Sequence, residues 1–321
     1  MTVQVGVIGT GFGARVVAPV FAATEGCGVV DVVSARNDAA VVALCENPDV
    51  DLVCVHSPPF LHAAHVRRAM SEGRAVLCDK PFGRDATEAE TLYAAAEAAD
   101  CLHLLNFEFR YHPTRALVRD LVDGGSIGIP EHVQWTHLSA GSREPLRPHG
   151  WLFDRAAGGG WVGAWGSHAV DFLRWTFGEI GDVWAQCRTT ITERRDGDGR
   201  VQVCDAEDGF SAVLGFDDGV TVAIDSTFAA PVSLAPRFVV VGSDGVLECV
   251  ADSRVVVRRR DGTRQEYERG TGDDAHVEPM RRFAGVVRDA VRDGIAPTGA
   301  PTFADGLACA RVLERLRAGG E

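Results

Sequence analysis

Lysine is almost missing from this chain. Of the 32 Lys and Arg residues in 321, a single one, Lys80, is lysine. The arginine excess reads as genome composition and carries no functional weight, but the exception asks for a reason. Paired cysteines are missing too. Nine cysteines are scattered, an odd number, without CxxC pairs or zinc spacing, which reduced thiols in a cytoplasmic protein explain best. No run approaches the roughly 18 apolar residues of a membrane helix. The opening "MTVQVGVIGTGFG" has no basic n-region and goes straight into a strand pattern, so it does not read as a signal peptide. A net charge of -13 disfavours sequence-independent binding to nucleic acid, which needs a basic face. An enzyme or a small-molecule binder remains.

In the first third, short apolar runs alternate with helical patterns. Residues 3–8, 28–34, 51–56, 75–79 and 101–106 read as strands. Helices are expected from the glycine-rich turn to about Thr24, between Ser34 and Asp51, over 61–73, and from a Thr87/Glu90 capping box to about Ala99. Almost wholly apolar strands alternating with helices predict a parallel sheet covered on both faces. From about residue 130 the texture changes. Asp196-Gly197, Asp218-Gly219 and Asp261-Gly262 are hairpin signals, and one antiparallel sheet with an apolar open face is expected over 130–270. Helical patterns at 276–293 and 302–318 close the chain. The reading is an α/β protein of two domains. Residues 1–112 would form a Rossmann domain with a doubly wound parallel sheet, and 113–321 an α/β domain for substrate and oligomerisation, its first helix started by Pro113.

Gly9-x-Gly11-x-x-Ala14 follows the first strand at once and opens a helix, the context a dinucleotide fingerprint requires. Gly9 permits the tight turn, Gly11 lets the backbone approach a pyrophosphate, and Ala14 keeps helix and sheet close. Strand two ends in "SARN", without the carboxylate that usually binds the ribose of NAD. Ser34 and Arg36 are suited to a 2′-phosphate, so NADP is expected over NAD.

These motifs resemble the Gfo/Idh/MocA oxidoreductases, the glucose–fructose oxidoreductase and inositol dehydrogenase family. The similar stretches run in order along the chain: "GVIGTGFGA", "SPPFLHAAHVRRAMSEGRAVLCDKPFG", "NFEFRYHP", "GGGWVGAWGSHAVDFLRW" and "FADGLACARVLE". The resemblance implies nicotinamide-dependent oxidation or reduction of a sugar, cyclitol or keto-sugar, and an open sheet that makes homodimers or homotetramers. It implies cofactor contacts from Phe12, Gly13, Ser57, Pro58, His62, Asp79 and Asn106. Three departures stand out: Asp79 replaces the glutamate of Glu-Lys-Pro, Ala164 replaces an aspartate four residues before His168, and the interval from Ser34 to Asp51 has room for about one helix.

Hydride transfer at a carbinol carbon needs a group that exchanges the hydroxyl proton. Arginine stays charged and cannot serve, whereas lysine can. That is a chemical reason to keep Lys80, just past the carboxyl end of a parallel strand, where open α/β sheets bind ligands. His168 is the second catalytic candidate, one helical turn from Asp171. Trp151, Trp161 and Trp165 are candidate walls of a sugar pocket, and Arg110 and Asp171 candidate substrate contacts. The alternative is a sensor or regulator of the same fold that binds cofactor without turnover.

Overall fold

In the computed structural model, which describes residues 1–270 and 274–319, the chain forms two compact units. The first comprises Met1–Tyr111, Ala156–Gly158 and Asp274–Arg311; the second His112–Arg155, Gly159–Asp273 and the residues from Val312 on.

The first unit is built on five parallel strands, β1 (Val3–Ile8), β2 (Cys27–Val33), β3 (Leu52–Val55), β4 (Ala75–Cys78) and β5 (His103–Leu105), in the order β2-β1-β3-β4-β5. The glycine loop runs into a wide π turn, Gly13–Val17, and then α1 (Ala18–Ala23). Only α2 (Asp38–Glu46) joins β2 to β3, which leaves β2 at the sheet edge. The room for one helix in this interval is thus what the structure contains. α3 (Pro59–Ser71) and α4 (Ala86–Ala98) complete the crossovers. The helix start expected at Thr87 lies earlier: Asp85 is the N-cap, its side chain accepting from the Glu88 amide at 2.8 Å.

The second unit contains α5 (Pro113–Asp123), β6 (Pro130–Leu138), a π turn at Val162–Gly166 leading into α6 (Ser167–Phe177), and the strands β7 (Ile180–Arg188), β8 (Glu193–Arg195), β9 (Val201–Val203), β10 (Gly209–Phe216), β11 (Thr221–Thr227), β12 (Arg237–Gly242), β13 (Gly245–Val250), β14 (Arg254–Arg259) and β15 (Arg264–Glu268). Eight strands form one sheet, β15-β14-β13-β12-β6-β11-β10-β7, while β8 and β9 pair separately around Asp196-Gly197. The sheet is mainly antiparallel, with β6 and β11 as its parallel pair. One face carries the aromatic core, where Trp135 meets Trp165, Phe172 and Phe238 edge-on at 5.2, 5.7 and 5.0 Å.

The other face is less apolar than its strand pattern suggested. One row across it reads Trp184, Val213, Ala223, Gln134, Val239, Glu248, Val256, Glu266. Trp184 and Val213 are 50% and 44% exposed. At the far end Glu248 pairs with Arg237 and Arg258, and Glu266 with Arg254 and Arg264, a lattice over the buried Val239 and Val256.

The last two helices revise the expected boundary. α7 (Val277–Asp293) does not join the second domain: Met280, Phe283, Ala284 and Val287 share one core cluster with Val3, Val5, Val17 and Phe21 beside the parallel sheet. α8 (Phe303–Ala318) belongs to the first unit up to Arg311. A second domain running unbroken from 113 to 321 is therefore not what the chain forms. Alternation of apolar residues announces a helix but not the sheet that receives it.

Candidate functional site

The carboxyl ends of β1, β3, β4 and β5 lie side by side in the first unit and carry Gly9, His56 to Pro58, Asp79-Lys80 and Asn106. β1 connects onward to β2 on one side and neighbours β3 on the other, so the chain reverses direction across the sheet here. That is the switch point where open α/β sheets take ligands.

Gly9 has φ +132°, and a Cβ there would stand 2.3 Å from the His56 carbonyl oxygen. No other residue fits. Gly11, by contrast, is exposed with nothing within 4 Å of an added Cβ, so the loop is tight beneath and open above. This is the cradle a pyrophosphate needs, and the residues present fit a dinucleotide. Gly13 packs on Val7 and His56, and Ala14 is half-buried behind it. The Phe12 ring lies 5.7 Å from His56 and 5.2 Å from His276. At the end of β2, Ser34 and Arg36 are exposed, and the Arg36 amide donates to Ser34 Oγ at 3.3 Å.

Asp79 anchors the turn that carries the lysine. Its Oδ1 accepts from the Lys80 amide at 3.0 Å and from Asn106 Nδ2 at 3.2 Å, and its Oδ2 lies 3.4 Å from His56 Nδ1. Burial pushes this carboxyl up, but His56, Lys80 and His62 outweigh burial and hold it well below the usual carboxylate range. Lys80 itself is half-buried and precedes a cis peptide to Pro81.

His62, expected at the cofactor, is engaged at both ring nitrogens. It is 0% exposed, with Nε2 at 2.7 Å from the Ser57 carbonyl and Nδ1 at 3.2 Å from that of Pro81. Burial lowers its pKa, so the neutral ring acts as a cross-brace between the β3 and β4 turns. Ser57 is braced in turn by His65, whose Nδ1 lies 3.0 Å from its hydroxyl; Pro58, next to it, is half-buried. Arg110, the expected substrate contact, is held by partners within its own unit. It is 6% exposed, and its guanidinium donates to Asp305 Oδ1 at 2.7 Å and the Gly299 carbonyl at 3.2 Å.

In the second unit the glycine run shapes the turn before α6. Gly160 has φ +106°, and a Cβ would fall 2.2 Å from Oε1 of the buried Glu207. Glu207 also accepts from the Val162 amide and from Arg317 Nε, both at 3.2 Å. His168 and Asp171 are 4% and 2% exposed, one turn apart on α6, and Ala164 sits in the preceding π turn. Trp165, a candidate pocket wall, is 7% exposed and packs on Trp135, Trp161, Phe210 and His137. Trp161 donates from Nε1 to Ser226 Oγ at 2.8 Å and stacks on Phe228. Of the three tryptophans only Trp151 is exposed, at 38%.

His56 escaped the sequence reading. Its position, directly after strand three, follows the same rule that selected Lys80 and was the available signal. Among the described residues no cluster of His, Cys, Asp or Glu is suited to a metal ion, and no helix is long and apolar enough to cross a membrane.

Comparison with known proteins decides the family. Residues 3–107 match the model of the oxidoreductase family with an NAD-binding Rossmann fold, and residues 116–248 match that of the GFO/IDH/MocA C-terminal domain. The chain belongs to the Gfo/Idh/MocA family. Inositol 2-dehydrogenase 1 of Saccharopolyspora erythraea is a 28% identical member over 98% of this chain and 93% of its own. Levoglucosan dehydrogenase of Pseudarthrobacter phenanthrenivorans is also 28% identical, over 58% of this chain; the match spans about half, 51%, of that relative. A solved levoglucosan dehydrogenase in complex with NADH and levoglucosan superposes with a TM-score of 0.87 at 21% identity, covering 99% of this chain and 97% of its own. That likeness is one of fold.

Proposed function

We propose that the protein is a nicotinamide-dependent oxidoreductase acting on a hydroxyl or carbonyl carbon of a sugar, cyclitol or related polyol, with Lys80 as principal acid/base and His168 secondary. One observation carries the reading. The glycine cradle and the Asp79-Lys80 turn stand at the same edge of the parallel sheet, and the chain's single lysine is held there by a braced, ionised aspartate. When bound, nicotinamide accepts or donates the hydride. Gly9, Gly11 and Gly13 would receive its pyrophosphate, and Ser34 and Arg36 a 2′-phosphate, which favours NADP. The arginine side chain has no ion pair among the described residues to compete for it. The dehydrogenase relatives support turnover and lend nothing to the sensor alternative.

Lys80 would take the hydroxyl proton during oxidation and return it during reduction. Because Ala164 stands where the family's aspartate would be, His168 would bind substrate more than it transfers a proton. Lys80→Arg keeps the charge but cannot release a proton, and should lose about 10²–10⁴-fold in turnover with cofactor still bound. Turnover equal to wild type on a polyol or keto-sugar substrate would leave Lys80 without that role. Nine cysteines free of disulfides support a cytoplasmic setting. The exposed Trp184 and Val213 support self-association through the β7–β10 end of the sheet, checked by light scattering.

A further inference from the structure

We propose that His56 is a positioning residue for Lys80, acting through Asp79; the inference deepens the reading of Lys80 as acid/base. Four observations converge on it. His56 lies at the carboxyl end of β3, between the glycine loop of β1 and the Asp79-Lys80 turn of β4. Its side chain is 0% exposed, and Nδ1 stands 3.4 Å from Asp79 Oδ2. Its carbonyl and Cβ form the floor of the cradle, 2.3 Å and 3.2 Å from where side chains on Gly9 and Gly13 would begin. Both ring nitrogens are buried without a hydrogen bond among the described residues, so the Asp79 carboxylate, within ion-pair distance of Nδ1, is the charged group the ring meets.

A buried imidazole with neither nitrogen hydrogen-bonded costs stability, and the contact of Nδ1 with Asp79 is what this one offers in return. Here Nδ1 faces the one carboxylate oxygen that neither the Lys80 amide nor Asn106 occupies. Asp79 is one carbon shorter than the glutamate usual at its place, and His56 fills the far side of it. With that oxygen held, the carboxylate plane is fixed, and so is the Lys80 amide that donates to it. Without His56 the carboxylate can rotate, and Lys80 loses its orientation. The groups facing the pair are Lys80 and His62, which the carboxylate feels directly, and Phe12 across the ring.

The single lysine makes the test direct. Reductive methylation of the full-length protein with 13C-formaldehyde labels one side-chain amine, whose methyl resonance reports the surroundings of Lys80 at fixed pH. His56→Leu fills the space without a polar nitrogen and should shift that resonance, and should lower turnover about tenfold, the equivalent of about 1.4 kcal/mol of lost polar contact to a charged group. His56→Asn keeps an N–H near the Nδ1 position and should restore both. In an Asp79→Asn background, His56→Leu should add no further shift. If His56→Leu does not yield folded protein, His56→Ala takes its place. A resonance identical in wild type and the donor-free variant, or a shift that persists undiminished with Asp79→Asn, overturns the proposal. The resonance needs no substrate, so a failure of the oxidoreductase reading would show in turnover alone.

Discussion

Replacing Arg110 by alanine separates a substrate contact from a structural brace. The side chain is 5% exposed and donates to Asp305 Oδ1 at 2.7 Å and to the Gly299 carbonyl at 3.2 Å, tying the end of the first segment to the returning one 195 residues later. Removing one partner of a buried pair costs about 3–5 kcal/mol when the other charge stays buried. Asp305 is 25% exposed and keeps its bond from the Thr302 amide at 2.9 Å, so water and that amide recover part of the loss. The lower end of the range, about 3 kcal/mol, is expected. For a chain of 321 residues that lowers the melting temperature by roughly 4–5 °C. Arg110→Ala/Asp305→Asn should recover part of the drop, because no carboxylate is then orphaned. Calorimetry of the three proteins checks this. An unchanged melting temperature with a raised Michaelis constant would refute the reasoning and return Arg110 to the substrate.

Arg36→Ala should weaken NADPH binding and leave NADH nearly unchanged in a fluorescence titration; equal weakening of both would mean that Arg36 does not read the 2′-phosphate. Phe283→Ala should cost about 3–5 kcal/mol, since the ring is 0% exposed and stacks on Tyr111 at 4.8 Å; a loss below about 1 kcal/mol would mean that α7 is a surface appendage. His137 gives a pH signature. Burial, helped by Arg115 against Asp252, lowers its pKa to about 4. The unfolded chain therefore takes up a proton as pH falls through about 6.5 while the folded one does not until about 4. Stability should drop as pH falls across that window, and His137→Phe should flatten the drop. Parallel denaturation curves for the two proteins from pH 7 to 4.5 would count against it. Asp79, held below its usual range, contributes stability that is lost only below that window, so the two effects separate.

The sequence alone determined the elements and one edge of the site. Five apolar strands alternating with helices, a glycine loop opening a helix, and a lone lysine past strand four are local patterns, set by neighbours a few residues apart. Gly9 could be read because its turn is made by its own backbone, and the short link after Ser34 because chain length limits what it can hold. The tertiary structure alone decided what each polar side chain faces. His62 and Arg110 read as ligand contacts in the sequence, and only the folded chain brings the carbonyls of Ser57, Pro81 and Gly299 and the carboxylate of Asp305 to them. Trp165 read as a pocket wall, and the fold decides its aromatic packing, because β6 and β10 bring Trp135 and Phe210 against it. α7 left its sequence neighbours because an apolar helix face specifies that it must be buried and is silent about where. Burial is non-directional and roughly proportional to area, so topology chooses the partner.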